Sequence, residues 1–217
     1  MNFALARRNM VDCQMLPNKI TDTRIIDIMG MLPREDFLPE GKKNFGYADK
    51  AISIGADRFI LEPLVTARML QSLKLRSSDV ALSIGCGAGY AVAVLAKMVN
   101  TVVALEINQN FIKESVKNFL NNDIDNIIVV EGELREGYSK QAPYDVIFFD
   151  GGVSEIPVNI KSQLAEEGRA IAVVVQNHNI GTLSLFKKFH GTVSKIDLQE
   201  ITVPLLPGFG AATKFCL

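Results

Sequence analysis

Tryptophan is absent, histidine occurs twice, and the three cysteines stand far apart. Cys13, Cys86 and Cys216 form no C-x-x-C pair. That argues against a disulfide framework or a zinc site and for a reducing compartment, with no metal expected. His178 and His190 belong to no His/Cys/Ser constellation and read as surface or packing residues. No apolar run approaches the roughly 18 residues of a membrane span. The N-terminus has no apolar stretch behind Arg7-Arg8, so no secretory signal is expected. Charge of either sign is in no surplus: Lys+Arg number 23 and Asp+Glu 24. Nothing global therefore favours nucleic acid or an anionic membrane as partner. The expectation is a soluble cytoplasmic protein whose oligomeric state is open.

What is present is a core former. Apolar residues make up 48% of 217 positions, enough for a sizeable core and against disorder. One domain is expected, with residues 1–63 as a helical and irregular extension and 64–217 as the core. Residues 1–40 read as helical and end at prolines, with Thr21 or Asp22 capping a helix that carries Ile25, Ile26, Ile28 and Met29 up to Gly30. Residues 41–63 show no clear periodicity and are punctuated by Gly41, Gly46, Gly55 and Pro63, which predicts an irregular segment. One that long is more often functional than idle. Leu64, Val65, Met69, Leu70 and Leu73 predict a helix with one buried face.

From Val80 an alternation sets in. Near-continuous apolar runs at 80–84, 101–105, 127–131, 144–149 and 169–175 predict strands. Helices are expected at 89–99, at 109–121 and from Pro157 to about 165. Runs that do not alternate mark a parallel sheet buried on both faces. The whole predicts an α/β fold: a doubly wound, mostly parallel Rossmann-like sheet with helices on both faces. Short β-prone pieces at 192–196, 201–203 and 212–216 suggest an antiparallel edge.

The centre of the chain is the turn after the first of these strands. Gly85, Gly87 and Gly89 fall at alternate positions, so a ligand can approach the backbone closely. The N–H groups opening the next helix can face it. Glu106 ends the following strand, where a carboxylate accepts hydrogen bonds from both hydroxyls of a ribose. Together they point to a nucleoside cofactor, NAD or S-adenosylmethionine. The G-x-G-x-G spacing differs from the G-x-G-x-x-G of dinucleotide sites, and no Tyr-Lys or His pair suited to hydride transfer is evident.

Further motifs narrow the choice. Arg8-Asn9-Met10-Val11 with Gln14, Pro33-Arg34-Glu35-Asp36-Phe37-Leu38-Pro39, Tyr47 through Gly55, Ile84 through Tyr90, Ala93-Val94-Leu95-Ala96, Glu106 and Ala142-Pro143-Tyr144-Asp145 follow in order. In these the chain resembles the protein-L-isoaspartate O-methyltransferase family over about residues 7–175. The resemblance implies a methyltransferase fold and S-adenosyl-L-methionine as cofactor. It implies methyl transfer to the side-chain carboxylate of isoaspartyl residues, with damaged proteins or peptides as substrate. It also implies a cofactor site of Ser83, Gly85, Cys86, Gly87, Gly89, Tyr90, Glu106, Ile107, Glu133 and Asp150.

The chain departs from the family in three places. Ser83 stands where an acid is usual and brings no charge. Family members read I-G-x-G-Q-T-I-S-x-P where this chain has Ile54 through Pro63, so Phe59 and Leu61 replace the hydroxyl residues and Leu61 takes the active-site serine's position. A lost hydrogen bond to a charged group is worth about 1.5–3 kcal/mol. Arg58, in place of the family's glutamine, is either a bidentate carboxylate binder or a solvated surface arginine. Phe149-Asp150-Gly151-Gly152 replaces a small uncharged stretch. Asp150 is either a ligand contact or part of an Asp-Gly turn. Two further readings stay open: a divergent methyltransferase with another acceptor, and a catalytically impaired cofactor-binding protein.

Overall fold

A computed structural model describes residues 1–175 and 180–210 of the chain. The N-terminal region is built from capped helices. Helix α1 (Phe3–Met10) is capped by the Asn2 side chain and runs into a π turn at Val11–Met15. Helix α2 (Thr23–Met31) is capped by Asp22, whose carboxylate accepts from the Arg24 N–H. Short 3-10 turns follow at Arg34–Phe37 and Glu40–Phe45. The expected irregular segment 41–63 is more ordered than its composition suggested. Strands β1 (Ile52–Gly55) and β2 (Arg58–Ile60) pair in an antiparallel hairpin. Helix α3 (Pro63–Leu73) follows with proline at its start, where a missing N–H costs nothing.

The main sheet comes next. In chain order it is β3 (Val80–Ile84), α4 (Tyr90–Ala96), β4 (Thr101–Glu106), α5 (Gln109–Asn121), β5 (Ile127–Glu131), β6 (Tyr144–Val153), α6 (Val158–Ser162) and β7 (Leu164–Val175). Strands β8 (Gly181–Phe189) and β9 (Thr192–Glu200) are its other strands among the described residues. The seven strands lie in the order β5-β4-β3-β6-β7-β8-β9. The first five neighbours pair in parallel, while β8 and β9 are antiparallel. The expected antiparallel edge is therefore present but larger, because β8 was not anticipated. Residues 201–203 belong to no strand, 212–216 lie outside the described residues, and so does His178. His190 is exposed at the β8–β9 turn.

Alternate residues of the strands fill two cores. Ala81, Val102, Ala104, Val146, Phe148 and Ile171 face helices α1 to α5. Leu82, Ile84, Val103, Leu105, Ile147 and Phe149 face a second core that holds Ile160 of α6 and Leu206 and Phe209 of the tail. Both faces carry helix, but unequally, and the tail makes up the difference. The sheet order reverses between β3 and β6, and in open α/β sheets ligands bind outside the strand ends at such a point. The Gly85–Gly89 turn and Asp150 flank it.

Candidate functional site

The turn is shaped by its glycines. Gly85 has φ +80° and Gly89 φ +98°, conformations that L side chains rarely adopt. Gly89 also caps α4, and a Cβ on it would meet the Phe119 ring at 2.6 Å. Cys86 is buried at the turn, and burial pushes its thiol well above the usual range, so it is no nucleophile. The Ser83 hydroxyl is fully buried and meets no hydrogen-bond partner among the described residues. Tyr90 is buried under Arg34, whose guanidinium carbon lies 4.6 Å from the ring centroid.

Glu106 is the electrostatic centre. Its carboxylate is fully buried and accepts the backbone N–H of Gly87 (2.8 Å), Ile107 (3.0 Å) and Asn108 (3.1 Å). Its fourth donor is Arg58. Arg58 Nη1 donates to both carboxylate oxygens at 3.0 and 2.8 Å, and Nη2 donates to the Gly85 carbonyl. The solvated reading of Arg58 is overturned, since its side chain is only 3% exposed. The carboxylate it holds is the chain's own Glu106, not one of a substrate. The cause is the hairpin β1–β2, which carries Arg58 over the end of β4. A second side chain covers the turn: Leu206 lies 2.7 Å from where a Cβ on Gly85 would be. The tail is held there because Gly152 donates to the Pro204 carbonyl and Leu206 donates to the Gly152 carbonyl, each at 2.8 Å.

Asp150 is not in a turn. Strand β6 continues through it to Val153. Burial pushes its carboxyl up to about 7, against the pull of Arg58 and Arg34 and with the help of Glu106. Glu133 is exposed and opens a short turn at Leu134–Glu136. Its neighbour Gly132 donates to the Glu106 backbone carbonyl at 3.1 Å, so Glu133 stands at the same sheet edge. Ile107 is 40% exposed there and contributes a backbone N–H to Glu106.

On the other side of the hairpin, Phe59 is half-buried and Leu61 is 2% exposed within the core. Neither offers a polar group to a ligand. Arg34 and Glu35, visible in the sequence only as part of a motif, have structural roles. Arg34 is fully buried, donating from Nε to the Gly46 carbonyl at 2.6 Å and from Nη2 to the Leu61 carbonyl at 2.5 Å. It pins the segment before α3 to Tyr90 on α4. Glu35 accepts from Arg7 at 3.0 Å and from the Tyr47 hydroxyl. The structure thus brings together Arg58, Glu106, Gly85, Gly87 and Asp150. Ile107 and Glu133 stay at the rim.

Comparisons with known proteins agree with one another. The family model described as Protein-L-isoaspartate(D-aspartate) O-methyltransferase matches residues 6–207. A protein-L-isoaspartate O-methyltransferase of Methanoculleus marisnigri is 33% identical over 205 residues, 94% of this chain and 93% of the relative. One from Roseiflexus castenholzii is 32% identical over 215 residues, 99% of this chain and 98% of the relative. A solved protein-L-isoaspartate O-methyltransferase aligns with TM-score 0.82 and 26% identity over 93% of this chain and 66% of its own. A Plasmodium falciparum structure in complex with S-adenosyl-L-homocysteine aligns with TM-score 0.79 over 92% of this chain and 97% of its own. At 21% identity, that one is a likeness of fold.

Proposed function

This chain belongs to the protein-L-isoaspartate(D-aspartate) O-methyltransferase family. From that premise we propose that it is an S-adenosyl-L-methionine-dependent protein carboxyl O-methyltransferase. Its substrates are isoaspartyl residues of damaged cytoplasmic proteins, whose side-chain carboxylates it methylates. The observation that carries the reading is the family match across residues 6–207, which includes both the glycine turn and the hairpin before α3. Among the described residues no helix is long and apolar enough to cross a membrane.

The residues fit the cofactor in kind. Glu106 supplies a carboxylate for two ribose hydroxyls, the Gly85–Gly89 backbone admits a close ligand, and the Ser83 hydroxyl awaits a partner. In this reading Tyr90, Cys86 and Ile107 would flank the cofactor, with Glu133 on the adenine side and Asp150 near the end of β6. The misfit is a matter of place, since Arg58 holds the acid and Leu206 covers Gly85. When bound, the cofactor supplies a methyl group already activated by its sulfonium. Residues 1–63 then form the acceptor side and 64–217 the cofactor side. An acceptor carboxylate has an ordinary pKa near 4 and is already ionised at neutral pH, so no general base is required of the protein. What remains is to align acceptor oxygen with methyl and to exclude water. Phe59 and Leu61 suit exclusion, and Arg58 is the cation of this segment able to take a carboxylate. A second reading, transfer to another acceptor, is favoured by the loss of both hydroxyls at Phe59 and Leu61.

The test is transfer of labelled methyl to an isoaspartyl peptide and to its normal aspartyl isomer. Base-labile label on the isoaspartyl peptide alone is expected. Label on neither peptide, with cofactor bound, removes the isoaspartyl assignment and leaves the second reading.

A further inference from the structure

We propose that Arg58 is an internal gate on the cofactor cradle. Its guanidinium occupies the carboxylate that a ribose would use, so that cofactor entry and release of the β1–β2 hairpin are one event. The inference rests on reading the cradle as an S-adenosylmethionine site.

Three observations carry it. The first is coincidence of place. Arg58 reaches both oxygens of Glu106 and the carbonyl of Gly85, and its Nη2 lies 3.0 Å from where a Cβ on Gly85 would stand. A ribose diol and this guanidinium are therefore alternatives at one carboxylate. The second is the ease of exchange. Opening a buried ion pair is usually costly because a charge is left without compensation. Here Glu106 keeps the N–H groups of Gly87, Ile107 and Asn108 and gains hydroxyl donors from the incoming ligand. Arg58 meanwhile follows directly on an exposed hairpin tip, Gly55 to Asp57. The third is the tip itself. Ala56 at φ +47° and Asp57 at φ +54° are non-glycine residues held in the left-handed region, and the pairing slips between Ser53 and Gly55. This strained, bulged tip is held by Arg58 together with Ile54 against the core and Lys42 on the Ser53 carbonyl, and it is poised to shift when the Arg58 contact is replaced.

The consequence is a coupling between the two halves of the site. Arg58 shares strand β2 with Phe59 and stands three residues before Leu61 in the segment read as facing the acceptor. Cofactor binding therefore frees the chain's only guanidinium in that segment at the moment an acceptor carboxylate is needed. A site whose open form is populated a fraction of the time binds weaker by that fraction.

Two measurements decide it. The first is amide hydrogen exchange on the unaltered chain with and without S-adenosylhomocysteine. Residues 85–89 should slow and residues 52–60 should exchange faster as the hairpin is released. Slowing of both segments overturns the gate, because the hairpin would then close on the ligand. The second is calorimetric titration of S-adenosylhomocysteine into the wild type and into Arg58→Gln, which restores the family's residue. Arg58→Gln should bind at least about tenfold tighter. Equal or weaker binding overturns the gate while leaving the cofactor reading intact. No binding to either protein, with both melting cooperatively, overturns the cofactor reading and the gate with it. The exchange experiment needs no variant, so an Arg58→Gln chain that fails to fold leaves the proposal open to refutation.

Discussion

Asp150 is where the fold resists a charge most clearly. Its carboxyl is 8% exposed and titrates near 7, against an ordinary value of 3.8. Folding therefore favours the protonated form. The stabilising contribution is full below 3.8 and is lost as pH rises through about 7. Replacing Asp150 with asparagine should leave stability nearly unchanged at about pH 4. By about pH 8 the variant should be more stable by on the order of 1–3 kcal/mol, read from urea unfolding at each pH. A constant difference across that range would show that Asp150 stays ionised. Ser83 offers a simpler test. Its hydroxyl is buried without a partner among the described residues, so Ser83→Ala should raise stability by about 1 kcal/mol, while weakening cofactor binding if the hydroxyl serves the ligand. Leu61→Ser restores the family's residue type in a position that packing has since claimed. It should cost about 2–4 kcal/mol in chemical denaturation and should not by itself raise methyl transfer. For these residues identity was legible in the sequence and environment was not. Asp150-Gly151 has the composition of a turn, yet the strand runs on because Gly152 pairs with the tail. A contact between positions 152 and 204 leaves no trace in local pattern.

At the scale of elements, the turn between β3 and α4 depends on backbone that only glycine tolerates. Gly89→Ala should lower stability by about 1–3 kcal/mol, because φ +98° is strained for alanine and its Cβ would meet the buried Phe119 ring at 2.6 Å. Thermal unfolding of the variant checks this, and a melting point equal to wild type would contradict the geometry. Some elements were legible to the residue. Strands 80–84 and 127–131 and helix 109–121 have the predicted bounds, because continuous apolar runs and a 3.6 period carry strong local signals. Strand β8 was missed because Gly-Thr-Leu-Ser-Leu-Phe-Lys-Lys-Phe shows only a brief alternation, and its burial comes from pairing with β7. The β1–β2 hairpin was missed because strands of 4 and 3 residues are too short for any period to show. That hairpin carries Arg58, so the element least visible in the sequence positions the residue that most alters the site.

Across the whole molecule, the doubly wound sheet, its switch point and the glycine turn were all readable from the order of apolar runs. The family resemblance supplied the cofactor and the chemistry, and the matched model extends it to residue 207. What the sequence could not show is that the site is already engaged by its own chain. Arg58 and Glu106 are 48 positions apart, and Leu206 reaches Gly85 from near the other end of the described residues. Only the assembled fold brings them together. The crystal structure of the complex with S-adenosylhomocysteine tests this account most directly. Both ribose hydroxyls should lie within hydrogen-bond distance of the Glu106 carboxylate, with Arg58 withdrawn and the 52–60 hairpin displaced. A ribose bound elsewhere, with the Arg58–Glu106 pair intact, would contradict it.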